Sequence, residues 1–119
     1  LHWLGFRPDV KELYALADVA VLPSYYREGG YPRGLTEPMA MGKPIITTDN
    51  PHCRDTVEDG YNGFIVLMKN SGELASAIVR VLSDEQERTR LGENSRSKAE
   101  KEFDERSIVS ATLDRFELL

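Results

Sequence analysis

Two glutamates nine positions apart, Glu28 and Glu37, bracket a run that contains Gly29, Gly30 and Gly34. Glycines let a backbone take positive φ and approach a ligand closely. A helix starting just after such a run presents unpaired N–H groups and the positive end of its dipole, which suits a phosphate. A carboxylate cannot itself hold phosphate, but it can accept two hydrogen bonds from a vicinal diol such as that of ribose. Glu37 is expected in the first turn of a helix over Leu35–Met41, and Glu28 in the loop could accept hydroxyl hydrogens from a sugar. Two carboxylates, free amides and a helix start together suit a nucleotide diphosphate sugar. Each part also has a plainer reading. A glutamate early in a helix is favoured by the dipole alone, a loop glutamate is ordinarily just solvated, and the run is neither a Walker loop nor a G-x-G-x-x-G fingerprint. Spacing alone therefore supports an anion or nucleotide site.

The elements around this run must place it. Val19–Leu22 is an unbroken apolar stretch, read as a central strand covered on both faces. The Leu35–Met41 helix is stopped by Gly42 and Pro44, and Ile45–Thr48 is the next strand. Strand, glycine loop, helix and strand make a βαβ crossover whose ligand side is the carboxyl end of the strands. Upstream, Leu1–Phe6 reads as a short strand. Asp9 with Glu12 forms a capping box for a helix that places Val10, Leu13, Leu16 and Ala17 on one face. Downstream, Asp59-Gly60 and Asn62-Gly63 signal turns, Arg54–Val57 a brief helical turn, and Phe64–Leu67 a fourth strand. Asn70 with Glu73 caps a helix carrying Leu74, Ile78, Val81 and Leu82. Ser83 with Gln86 is expected to start another, bent or broken at Gly92, with Leu91, Ser95, Ala99 and Phe103 along one stripe. Asp104 caps a last helix with Ile108, Thr112, Leu113 and Phe116. Strands alternating with helices indicate an α/β fold with a parallel, Rossmann-like sheet and flanking helices.

Composition excludes several classes. The 119 residues hold one domain or part of a larger one, and a net charge of −5 argues against a nucleic-acid backbone as partner. No apolar run approaches a membrane span. The single cysteine, Cys53, rules out an internal disulfide, fits a reducing compartment, and reads as a small partly buried residue. His2 and His52 have no cysteine or histidine at metal-ligand spacing. The chain opens on the strand-like LHWLGF without an initiator methionine, so it is expected to enter a domain partway through.

Read together, Ala17-Asp18-Val19, Pro23-Ser24, Glu28-Gly29, Leu35, Glu37, Met39-Ala40, Gly42, Pro44, Thr48-Asp49, Asp59-Gly60 and Asn62-Gly63 resemble the donor domain of the retaining glycosyltransferases with the GT-B fold, the group 1 type. The resemblance covers nearly the whole chain. It implies that residues 1–119 are part of the C-terminal nucleotide-sugar-binding domain, with the N-terminal acceptor domain outside this sequence. By the same resemblance Glu28 is the catalytic position and contacts the donor sugar. Gly29, Gly30, Tyr31, Leu35 and Thr36 line the donor site, and Glu37 binds the ribose diol. No metal or other cofactor is implied. The implied partners are a nucleotide-diphosphate sugar and a glycan or lipid-linked acceptor. The implied enzyme is cytoplasmic, works in polysaccharide biosynthesis, and associates peripherally with the membrane through its full-length form.

The chain departs from the family pattern in places. It has one extra residue between the two glutamates, Thr36 and Pro38 flank Glu37 where leucine and alanine are usual, and His52 stands where glycine is common. The family's phosphate-binding arginine and lysine come from upstream of Leu1. Arg27, Arg33 or Arg7 could neutralise a phosphate or lie beside the base, though each also reads as a surface residue. Two other readings share the architecture: a non-hydrolysing sugar-nucleotide epimerase, and a non-catalytic nucleotide-sugar-binding partner subunit.

Overall fold

The computed structural model describes residues 1–26 and 30–117. Its sheet has three parallel strands, β1 Ala20–Leu22, β2 Ile45–Thr48 and β3 Gly63–Val66, in the order β1-β2-β3. Ile46 is the register point, opposite Val21 on one side and Phe64 on the other. All four residues of β2 are buried, as a β-branched run covered on both faces should be. Successive side chains go to opposite faces. Ile45 joins Ala20, Leu35, Met39, Cys53, Val57 and Ala99, while Ile46 joins Phe64, Val66, Val81 and Leu91. The described residues also form six helices: α1 Val10–Leu16, α2 Arg33–Ala40, α3 Pro51–Thr56, α4 Ser71–Ser83, α5 Glu85–Glu102 and α6 Glu105–Glu117. Leu35 and Met39 bring α2 to the first face, and Val81 brings α4 to the second.

Helix α5 closes the amino ends of the strands. Arg90 Nη1 donates to Gly60 O at 3.2 Å, Asn94 Nδ2 to Tyr61 O at 2.8 Å, and Ser95 Oγ to Asn62 O at 3.1 Å. Arg96 Nη1 donates to Ala40 O at 2.6 Å. The turns that lead into β2 and β3 are thus held by α5, and the carboxyl edge is left for other work. Gly92 does not bend this helix. It lies inside an unbroken α5, where a Cβ would come within 2.4 Å of Gly42 O, so its smallness serves a close approach. Gly63 likewise is not a turn residue. It opens β3, and a Cβ there would lie 1.7 Å from Ile45 O.

Other expectations are corrected by the fold. Leu1–Phe6 is not a strand. Trp3 and Phe6 are almost fully exposed, and the described residues place no strand beside them to complete a ladder. Among the described residues β1 is therefore an edge strand of three, with β2 at the centre. Helix α1 has no fully buried residue: Val10, Leu13 and Ala17 are half-buried and Leu16 is exposed, so the described residues cover its apolar face only in part. Asp9 sits at the N-cap of α1, but its carboxylate accepts from Arg7 Nε and Nη2 at 2.8 and 2.6 Å instead of capping. Ser83 ends α4 and does not start α5. Asp84 is the cap there, accepting from Glu87 N at 3.1 Å, while Ser83 Oγ turns back to Val79 O. A carboxylate accepts an amide N–H more strongly than a hydroxyl does, which decides the competition. The Asn70–Glu73 cap and the buried Leu91, Ser95 and Ala99 of α5 are as expected.

Candidate functional site

Leu22, Thr48 and Val66 end the three strands on one edge, and three connections leave from it: 23–32, 49–50 and 67–70. The first is the glycine loop. Of its expected site residues, Glu28 and Gly29 lie outside the described residues, as does Arg27. Gly30 has φ +146° and open space around a would-be Cβ, a conformation that favours glycine. Tyr31 is exposed, and its ring meets Phe103 edge-on at 5.1 Å and His52 at 6.3 Å. The histidine that replaces a glycine therefore supports the loop's far end.

Helix α2 begins at Arg33, two residues before its expected start, with Pro32 at the N-cap. Pro32 O accepts from both Leu35 N at 3.0 Å and Thr36 N at 3.1 Å. Among the described residues the amides of Arg33 and Gly34 donate to nothing, so these two are open toward a ligand. The earlier start moves Glu37 out of the first turn, to the fifth helical position, and leaves Pro38 inside the helix. Leu35 is fully buried and Thr36 half-buried, so Leu35 faces the core and not the edge. Glu37 is exposed, close enough to α1 to act on Tyr14. Burial first, and the Glu37 charge second, raise the Tyr14 hydroxyl above its usual pKa. Arg33 is exposed, whereas the Arg7 guanidinium is bound to Asp9 and its hydrogen bonds hold that carboxyl below the usual range.

A second layer beneath the loop was not recognised from sequence. Thr47 Oγ1 donates to Leu22 O at 2.9 Å, and Thr48 Oγ1 to Ser24 O at 2.5 Å. Asn50 Nδ2 donates to Ser24 Oγ at 3.3 Å and to Tyr26 O. Asp49 Oδ1 accepts from Met68 N at 3.0 Å, tying the β2 exit to the β3 exit. The only prior signal was two adjacent threonines followed by Asp-Asn at a strand end. The pairing itself spans some two dozen residues and leaves no local trace.

A cavity of about 280 Å³ opens on this edge between Pro23, Tyr25, Thr48, Val66, Lys69 and Leu74, with Lys69 Nζ 5.2 Å above the Tyr25 ring. The larger cavity, about 450 Å³, lies at the opposite edge by Asp18, Lys43, Arg88, Gly92 and Arg96. Its cations are already employed: Lys43 Nζ donates to Ala15 O, Arg88 Nη1 to Leu82 O and Arg96 Nη1 to Ala40 O. They neutralise the carbonyl ends of α1, α4 and α2, which makes that cavity a structural seam. Among the described residues no group of histidine, cysteine and carboxylate side chains could hold a metal ion, and no helix is long and apolar enough to cross a membrane.

The family profile described as "Glycosyl transferases group 1" matches residues 1–98. The chain belongs to the glycosyl transferases group 1 family. Among solved structures, that of Anabaena Alr3699/HepE in complex with UDP superposes with a TM-score of 0.90 at 30% identity, covering 98% of this chain and 32% of that one. The HepE structure with UDP-glucose superposes at 0.86, also at 30% identity, covering 98% of this chain and 32% of that one. Among curated proteins, this group 1 chain is 33% identical over 117 residues to the N,N'-diacetylbacillosaminyl-diphospho-undecaprenol α-1,3-N-acetylgalactosaminyltransferase of Campylobacter jejuni, covering 98% of this chain and 30% of that protein. It is 34% identical over 110 residues to spore coat protein SA of Bacillus subtilis, covering 92% and 29% respectively. The chain thus spans about 30% of the length of these curated relatives. The structural neighbours are GT-B glycosyltransferases, and the parallel α/β sheet with flanking helices is their fold.

Proposed function

We propose that the chain is part of the C-terminal donor-binding domain of a glycosyltransferase. The enzyme moves a sugar from a nucleotide-diphosphate sugar to a glycan or lipid-linked acceptor, with retention at the anomeric carbon. The observation that carries this reading is the carboxyl edge itself. Open amides at Arg33 and Gly34 start the short helix that leaves this edge, and the exposed Glu37 follows a turn further along it, in a fold whose HepE counterpart was solved in complex with UDP-glucose. The amides and the α2 dipole suit the diphosphate, and Glu37 suits the ribose diol. Gly29, Gly30 and Tyr31 line the sugar, with Leu35 and Thr36 shaping α2 beneath it. Glu28 faces the transferred sugar. As the diphosphate leaves, the ring develops oxocarbenium-like charge, and a carboxylate beside it stabilises the transition state more than the ground state.

The acceptor half of the cleft belongs to a preceding domain, so the 119 residues alone turn over no donor. The enzyme works in the cytoplasm in polysaccharide assembly, peripherally at the membrane where its acceptor is lipid-linked. The name of the Campylobacter relative, with its diphospho-undecaprenol acceptor, supports that setting.

The test is Glu28→Gln in the complete enzyme, which keeps shape and removes charge. The expected kcat falls on the order of 10- to 1000-fold while nucleoside diphosphate affinity stays near that of the wild type. Lost nucleotide affinity with kcat intact would overturn the assignment, and so would near-normal turnover. Sugar transfer by residues 1–119 alone at the rate of the complete enzyme would overturn the domain reading.

A further inference from the structure

The glycine loop leaves β1 through Pro23, Ser24, Tyr25 and Tyr26, and the next strand holds that exit from below. Thr48 Oγ1 donates to Ser24 O at 2.5 Å, and Asn50 Nδ2 donates to Ser24 Oγ at 3.3 Å and to Tyr26 O. Thr48 and Asn50 are each 2% exposed and Ser24 8%, so water does not compete for the two bonds to Ser24. The loop's far end rests nearby, where Tyr31 meets His52 of α3 and Phe103 at the end of α5. The exit of the loop is therefore fastened to the turn between β2 and α3, and its far end rests on α3 and the end of α5.

We infer that Asn50, with Thr48, is a positioning residue of the donor site, setting the direction in which the glycine loop leaves the sheet. The chemistry of the contacts carries this. Among the described residues the side-chain bonds of Asn50 and Thr48 end on Ser24 and Tyr26, while β2 keeps its own backbone pairing to β1 and β3. Removing them frees the exit and leaves the ladder intact. A loop rich in glycine has much freedom to lose on ordering. Fixing its exit in advance lowers what ligand binding must order, and small misplacements of reacting groups are costly in rate. The amide of Asn50 suits the task because it donates toward two oxygens. An isosteric aspartate would set a carboxylate against the same two oxygens. The consequence for sugar transfer rests on the function proposed above; the anchoring of the loop does not.

The experiment uses the complete enzyme with Asn50→Asp, Thr48→Val and Thr48→Ser. Three quantities are measured: amide hydrogen exchange by peptide, affinity for UDP by calorimetry, and steady-state turnover of the nucleotide sugar the wild type uses. Asn50→Asp and Thr48→Val should speed exchange in peptides spanning 23–32 by about 10-fold or more, with α5 peptides unchanged. Turnover should fall on the order of 10- to 100-fold with UDP affinity within about 3-fold of wild type. Thr48→Ser keeps the hydroxyl and should restore exchange to the wild-type rate. Unchanged exchange over 23–32, or an equal rise across α5, would overturn the anchoring role. Faster loop exchange with unaltered kcat would overturn its link to transfer. A wild type that neither binds nucleotide nor transfers sugar would instead sink the glycosyltransferase reading, and the exchange data would still decide whether Asn50 anchors the loop.

Discussion

Gly92→Ala sets two physical effects against each other, and the structure says which prevails. In the middle of α5, alanine is favoured over glycine by about 1 kcal/mol of helix propensity. Against this, the new Cβ would lie 2.4 Å from Gly42 O, where ordinary carbon–oxygen contacts begin at roughly 3.3 Å. Gly42 cannot simply turn aside. Its φ of +73° belongs to the turn that ends α2 and feeds β2. Helix α5 must then move off by most of an ångström, straining an overpacked contact at about 1–3 kcal/mol. The same motion lengthens the bonds from Asn94 to Tyr61 O, Ser95 to Asn62 O and Arg96 to Ala40 O, each contributing about 1 kcal/mol when intact. With part of those bonds lost, the net is a destabilisation of about 2 kcal/mol, or a fall in Tm of roughly 8 °C for a domain of this size. Urea unfolding followed by circular dichroism measures it, with exposed Glu93→Ala in the same helix as a control expected within about 0.5 kcal/mol of wild type. A Gly92→Ala protein as stable as the wild type, or more so, would show that propensity prevails and that the α5 approach is slack.

Two further outcomes test the site and its surroundings. Glu37→Ala in the complete enzyme should weaken nucleoside diphosphate binding by about 1.5–3 kcal/mol, the range for hydrogen bonds to a charged group; calorimetry with an unchanged Kd in a folded variant would return Glu37 to a purely structural role. Tyr14, raised by burial and then by Glu37, holds its proton where the unfolded chain, at the ordinary value of 10.0, releases it. The stability linked to this group is thus complete below pH 10.0 and lost as pH rises toward the folded-state pKa. Thermal unfolding between roughly pH 9 and 11 should fall less steeply for Tyr14→Phe than for wild type, and parallel slopes would refute the linkage.

What the sequence determined by itself is local. The bounds of β2 at Ile45–Thr48, the stop at Gly42, the caps at Asn70 and Asp104 and the buried stripe of α5 all follow from residues within a few positions of one another. Such features depend on alternation, helical period and one side chain reaching its own backbone, so a short window contains them. The glutamates could be named because their residue types and spacing resemble a family pattern. The order of strand, loop and helix led to the expectation that they lie toward the carboxyl edge, where α2 starts. The starting point of α2 was not legible, since Pro32 decides it by accepting two amides, and this moves Glu37 by half a turn.

Tertiary structure alone decided the rest. Leu1–Phe6 has the composition of a strand, yet a strand exists only where a second backbone lies alongside, and the described residues place none there. Gly63 and Gly92 look like turn and breaker residues, but each is small because another segment's carbonyl passes within a bond length or two of where a Cβ would stand. Asn50 carries no motif, and its amide acquires meaning only when β1 and β2 pair and bring Ser24 and Tyr26 over it. The common reason is range. Propensity and capping act within one turn of chain, whereas pairing, close approach and buried side-chain bonds depend on which distant segment folding brings alongside.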